Sequence, residues 1–311
     1  MKNNVIKSIV FVLIFFVLIE LLNVFFMPGT NNFVKAFRMS TYDIASEPDN
    51  SVDIINLGDS VVYSSISPMI IWGEHGYTSY DCAQPAQLLS AAYKYLEVAV
   101  NNQHPKIVLV EASMLFRNPK NQNWQNTLSA EAKRYLPIMK YHDNWKKYLK
   151  SGQKDNWIDV YKGYKYITKV DSVKKDTNYM KETNKEKKIP DVNLEYFEKI
   201  LKLCNDNGAK VIIMSLPNRH NWNYSSHNSV ANIANKYGLD FIDLNLVDLG
   251  IDWKKDTKDS GKHLNYLGAK KVSNYLGNYL EQTGLLTDHR NDSKYESWNE
   301  AYNTYMKLHS N

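Results

Sequence analysis

Apolar positions fall into three patterns along this chain. Residues 8–27 are almost uninterruptedly apolar, broken only by Ser8, Glu20 and Asn23. Twenty helical residues at about 1.5 Å each span about 30 Å, the hydrocarbon thickness of a bilayer. From residue 50 onward, short apolar runs alternate with stretches of helical spacing. The runs are Asp53 to Leu57, Lys106 to Glu111, Lys210 to Ser215 and Asp240 to Leu244. The helical stretches cover 87–102, 193–206, 226–237 and 266–282, with Gly208 and Gly238 closing two of them. Strands this short and this apolar, separated by helices, predict an α/β fold: a parallel sheet flanked by helices on both faces. In such sheets ligands bind at the carboxyl ends of the strands.

The N-terminal stretch predicts a membrane anchor over 1–29 and a separate domain over 30–311. Lys2 and Lys7 lie on its N-terminal side and Pro28-Gly29 ends it. The positive-inside tendency then places the N-terminus in the cytoplasm and the domain outside. A cleaved signal peptide is the rival reading. Its apolar region would be shorter and a small-x-small cleavage site would follow, whereas here the stretch continues as Phe25-Phe26-Met27-Pro28. Glu20 either pairs with a partner membrane protein or snorkels toward the outer surface.

Residues 118–190 interrupt the alternation. They hold 17 Lys and Arg against 8 Asp and Glu, with Trp124, Trp145, Trp157 and seven tyrosines. We read them as a basic, aromatic-rich helical insertion ending in a solvated charge run from Lys174 to Lys188. It is either a solvated helical surface or a surface that holds an anionic glycopolymer. The whole chain of 311 residues carries only +5. That is too mild to argue for nucleic acid, which an outward-facing domain would not meet. Two cysteines, Cys82 and Cys204, exclude a disulfide scaffold and a four-cysteine zinc site. Buried free thiols are expected, with a single disulfide as the alternative. Asp243 and Asp248 form no metal-ligand pattern with any histidine, so neither metal nor cofactor is expected.

The chemistry-bearing residues flank the first and last elements. Leu57-Gly58-Asp59-Ser60 follows the first strand directly, so a strand-to-helix turn projects the Ser60 hydroxyl at the strand's carboxyl end. The Ser60 N–H at the start of the next helix can help stabilise an oxyanion. A serine is a weak nucleophile until a base takes its proton. His263 is the candidate base. It lies in Asp259-Ser260-Gly261-Lys262-His263, just before the last helix, where Asp259 can reach Nδ1 and leave Nε2 for Ser60. Arg219, after the Lys210 to Ser215 strand, is a candidate contact for an anionic group. His142, His220 and His227 are read as surface or substrate-side residues.

These two blocks resemble the SGNH/GDSL hydrolase superfamily, and more closely its membrane-anchored extracytoplasmic bacterial members. The likeness includes Asp53 to Ser67, Pro105 to Glu111, Arg134-Tyr135-Leu136-Pro137 with His142 and Trp145, and Asp259 to Tyr275. It ends at Leu286 to Arg290 with Tyr295 and Trp298. Such proteins resemble the accessory acyl-transfer proteins of teichoic acid D-alanylation and of alginate or peptidoglycan O-acetylation. The resemblance implies Ser60 as nucleophile, His263 as base and Asp259 as its orienter. It also implies a membrane-bound O-acyltransferase as acyl donor, a cell-surface polysaccharide as acceptor, and a place in the bacterial cell membrane.

Two departures stand out. The superfamily's final motif puts the aspartate three residues before the histidine, where this chain has Ser260; Asp256 is the fallback orienter. The usual Gly-x-Asn-Asp block is replaced by Glu111-Ala112-Ser113-Met114. The oxyanion asparagine is therefore missing, and Gln84, Gln87 or Gly76 are the candidate substitutes. Three functions stay open: a polysaccharide O-acyltransferase, an esterase, and a non-catalytic partner of the membrane enzyme.

Overall fold

The structure, a computed structural model, describes residues 2–26, 43–118, 159–174 and 178–310. Helix α1 (Lys2–Phe26) contains a 19-residue stretch, Asn4–Leu22, long and apolar enough to cross a membrane.

The chain divides into two compact units, and the one formed by residues 47–119 and 159–311 is built on five parallel strands: β1 (Ile54–Gly58), β2 (Ser79–Ala83), β3 (Ile107–Glu111), β4 (Lys210–Ser215) and β5 (Asp240–Asp243). Their order is β2-β1-β3-β4-β5. Leu57 lies opposite Cys82 on one side and Val110 on the other, and Val110 lies opposite Ile213. The chain winds from β1 to β2, then returns past β1 to β3. The winding direction therefore reverses beside the carboxyl end of β1, the point where open α/β sheets bind ligands.

Alternation along the strands decides which helices lie where. Ile54, Ile107, Leu109, Ile212, Met214 and Ile242 share one core with Val272, Leu276 and Leu280. Those last three belong to α7 (Tyr266–Glu281), which packs on α2 (Val62–Ser65) and α3 (Pro68–His75). The intervening residues Ile55, Leu57, Val108, Val110 and Ile213 are equally buried and face the other side. That side holds α4 (Leu89–Gln103), packed on α5 (Asp191–Asp206). Helix α6 (Tyr224–Tyr237) borders β5, and α8 (Glu296–His309) packs on α3 through Trp298 and Trp72, rings 5.5 Å apart.

Most of the 118–190 stretch, where a helical insertion is expected, lies outside the described residues. Residues 159–174 and 178–190 contain no helix, and 119–158 lie outside the described residues. After a turn at 159–164, closed by Tyr164 N–H donating to Tyr161 O, the backbone of 165–174 bonds sideways rather than to itself. Lys165 N–H donates to Tyr63 O, Tyr266 N–H to Ile167 O, Asp171 N–H to Thr257 O and Val173 N–H to Trp253 O. A segment whose N–H and C=O groups are spent on neighbouring loops has none left for helical bonds. It is a strap laid beside the loops at the sheet's carboxyl edge. Cys82 and Cys204 are both free and buried. Burial pushes both thiols up, Cys204 to about 12.

Candidate active site

Strand β1 ends at Gly58, and Asp59-Ser60-Val61 turn the chain into α2. The turn is closed by Val62 N–H donating to Asp59 O (3.1 Å) and Val61 N–H to Asp59 Oδ1 (2.8 Å). Gly58 is required by space: a side chain there would run into Val62 and Glu111. Ser60 is left half-buried at the strand's carboxyl end, anchored by the Ser64 hydroxyl donating to its carbonyl (2.7 Å). Among the described residues its N–H has no acceptor.

The partner loop folds as a short hairpin. Thr257 and Leu264 pair across an antiparallel bridge, and the Thr257 hydroxyl donates to His263 O (3.0 Å). The next residues cap α7, where Asn265 Oδ1 accepts from Leu267 and Gly268 N–H. Inside the hairpin, His263 Nε2 lies 2.8 Å from Ser60 Oγ, and Nδ1 lies 2.6 Å from Asp259 Oδ2. Asp259 Oδ1 also accepts the His263 backbone N–H at 2.7 Å. Residues 203 positions apart thus form one continuous line from hydroxyl to carboxylate.

The electrostatics suit proton abstraction. Burial holds the His263 imidazole below its ordinary pKa, opposed by the hydrogen bond and charge of Asp259. Lys258 adds to the lowering and Asp59 opposes it. The ring is therefore neutral and basic at neutral pH, while Asp259 is placed to stabilise the imidazolium that forms.

The four oxyanion and anion candidates fare differently. Gly76 caps α3 with φ 69°, donates to Trp72 O and precedes β2, so it lies at the amino end of the sheet, away from Ser60. Both protons of the Gln87 amide are spent, on Gly58 O (2.8 Å) and Cys82 O (3.1 Å). Gln87 ties β1 to β2 rather than serving a ligand. Arg219 is drawn under the Asp259 turn: its guanidinium lies 4.9 Å from the Tyr179 ring centre and 5.4 Å from that of Trp253. Gln84 lies at the sheet's carboxyl edge, half-buried one residue after β2.

The fallback orienter is occupied elsewhere. Asp256 Oδ2 accepts from Asp252 N–H (2.7 Å) and Lys271 Nζ (2.6 Å). His227 pairs with Asp243 (2.9 Å), and His142 lies outside the described residues.

Several neighbours of Ser60 escape sequence reasoning. Asp59 is buried and pairs with Arg117. Glu111, where the oxyanion asparagine is missing, is buried beside it and accepts from Ser113 N–H (3.0 Å) and Oγ (2.5 Å). Burial first, then the charge of Asp59, pushes Glu111 up to about 8. Tyr63, one turn on from Ser60, is pushed up by burial and by Asp59, with a hydrogen bond to Ser60 opposing. Position i+3 from the serine was the available signal for Tyr63.

No family model and no curated protein matches the chain. Among solved structures it is similar to a putative acylhydrolase from Bacteroides fragilis, at 15% identity over 76% of this chain and 90% of that one, with a TM-score of 0.38. A GDSL-like lipase from Bacteroides thetaiotaomicron shares 14% identity over 79% of this chain and 97% of the other, with a TM-score of 0.41. An acetyl xylan esterase shares 13% over 74% and 98%, at 0.39. These likenesses are slight, and the chemistry rests on the side chains themselves.

Proposed function

We propose that the chain is a serine O-acyltransferase that moves an acyl group, in the first instance acetyl, onto a cell-surface polysaccharide. Support comes from the unbroken line of Ser60 Oγ, His263 and Asp259 at 2.8 and 2.6 Å. His263 takes the Ser60 proton as Oγ attacks the donor carbonyl. The Ser60 N–H faces the developing oxyanion, with Gln84 as the second donor. Collapse of the tetrahedral intermediate expels the donor's leaving oxygen, which takes the proton from the imidazolium. The acyl-serine ester remains. His263 then deprotonates a sugar hydroxyl, which attacks the ester, and the proton returns to Ser60.

In this reading α1 is an uncleaved single-pass anchor in a bacterial cell membrane with the domain outside, and a membrane-bound O-acyltransferase supplies the acyl group. Tethering raises the effective concentration of the domain near that donor. An esterase, with water as acceptor, uses the same three residues. The half-exposed Ser60 favours this second reading by leaving water a path. Mass spectrometry after exposure to an activated acetyl ester tests the first step: an acetyl adduct on Ser60 is expected, and its absence sinks both readings. Partition of that adduct between an oligosaccharide and water separates them.

A further inference from the structure

We infer that the loop Asn218–His220 is a clamp on the Asp259 turn and that His220 is a positioning residue for the acid–base pair; this rests on the reading of Ser60, His263 and Asp259 given above. The need for a clamp follows from the backbone. For Asp259 to fold back onto both the ring and the N–H of His263, four residues on, the chain reverses through Ser260 at φ 57° and Gly261 at φ 92°. Ser260 carries a Cβ in the left-handed region, a conformation that persists only where the surroundings over-determine it.

The surroundings do so from three sides. Ser260 N–H donates to Asp171 O of the strap (2.9 Å), and Gly261 N–H donates to the Thr257 hydroxyl (2.7 Å). The two carbonyls of the reversal are both held by the Asn218–His220 loop. Arg219 N–H donates to Gly261 O (2.9 Å), and the His220 ring meets Ser260 O through Nε2 (3.0 Å). A carbonyl only accepts, so Nε2 carries the proton. The Arg219 stem fills the space beside Gly261, where a Cβ would lie 2.8 Å from its Cδ.

The loop itself is fixed from the sheet. Asn218 is buried, its N–H donates to Asn245 Oδ1 (3.0 Å), and its own Oδ1 accepts from His220 and Asn221 N–H (both 2.9 Å). Asn245 in turn holds Ser215 Oγ and Leu216 O at the end of β4. A continuous set of hydrogen bonds therefore runs from the sheet through His220 to the residue beside Asp259. The Asp259 carboxylate takes its angle from that support.

The test uses the full-length protein in detergent micelles. A proton shared between imidazole Nδ1 and a carboxylate gives a far-downfield NMR signal, assigned here by its loss in Asp259→Asn. His220→Ala and His220→Phe remove the donor, the second keeping a ring of similar size. Both side chains sit at an exposed site, so neither empties the core. Expected are an upfield shift or loss of that signal and a fall in kcat of roughly three- to tenfold with KM unchanged, the range a single neutral hydrogen bond commands. His220→Gln, which restores a donor at the same reach, is expected to recover both. An unchanged signal and kcat in the Ala and Phe variants overturns the inference, as does failure of the Gln variant to recover. If wild type shows the downfield signal but no Ser60-dependent turnover, the function fails while the clamp is still read by NMR.

Discussion

Asp259 grips His263 at two points, its backbone N–H through Oδ1 and its ring through Oδ2, at 2.7 and 2.6 Å. One carboxylate thus fixes both the position and the tautomer of the ring. Asp259→Asn keeps the shape but loses the charge and can present an N–H where an acceptor is needed. A fall in turnover on the order of a thousand- to ten-thousandfold is expected in a steady-state ester assay. Asp256→Asn, at the neighbouring buried carboxylate, is expected to lower Tm through its contacts with Asp252 and Lys271 while leaving the acylation rate near wild type. Equal losses from the two variants would mean that the orienter has been misassigned.

Ser60→Ala is expected to abolish the acyl adduct and to lower ester turnover roughly a thousandfold or more. Intact-mass measurement before and after exposure to the ester reads the first effect directly. An adduct of undiminished yield in the variant would move the nucleophile elsewhere.

Acylation is expected to rise with pH through a single ionisation below 6.5, the ordinary value for histidine. Burial holds His263 down, so its neutral form persists to lower pH than in a free imidazole. In Asp259→Asn the hydrogen bond and charge that oppose the lowering are gone, and the midpoint of kcat/KM is expected to move lower still. A midpoint above 6.5 in wild type would contradict the burial argument.

Glu111 gives a stability signature of opposite sign. Its folded pKa is raised to about 8 from 4.5, so the folded state holds a proton that the unfolded chain releases. Its contribution to stability is fully present below about 4.5 and is lost progressively as pH rises toward about 8. Glu111→Gln, which keeps an acceptor for Ser113, is expected to flatten this dependence and raise Tm at pH 8 to 9 by a few degrees, about what 1 kcal/mol yields in a domain of this size. Thermal melts at pH 5 and pH 9 decide it; parallel curves for the two proteins would refute the assignment.

Gly58→Ala places a methyl group against Val62 and Glu111. A destabilisation of about 1–3 kcal/mol, typical of overpacking, is expected together with displacement of Ser60. Chemical denaturation measures the first and the yield of acyl adduct the second.

Four strands and four helices were legible because their cores are apolar runs or amphipathic repeats, as in Ile107 to Val110 and Val272 to Leu280. Strand β2 was not, because Ser79-Tyr80-Asp81-Cys82 has no apolar run. It is buried through a side-chain pair instead, Asn56 Nδ2 donating to Asp81 Oδ1 at 2.8 Å. Helix α3 is short and opens on Pro68, and in α8 Trp298, Ala301 and Tyr305 are buried amid polar neighbours. At the site, Ser60, His263 and Asp259 were legible because side-chain chemistry demanded them. The roles of Arg219 and of the 165–174 strap were not. They act mainly through backbone N–H and C=O groups, which every residue but proline offers, so residue identity carries no mark of them. Gly76 failed for another reason: it is close in sequence to Gln84, but β2 runs between the two and leaves Gly76 at the opposite edge of the sheet.

The hydroxyl and the imidazole belong to elements separated by almost the whole domain. Closing so long a loop costs entropy that only the completed contacts repay. A chain emerging from its N-terminus therefore carries Ser60 as an inert alcohol until α7 docks. On the proposed reading, a nascent or truncated chain without the His263 hairpin has no base for Ser60 and does not consume acyl groups.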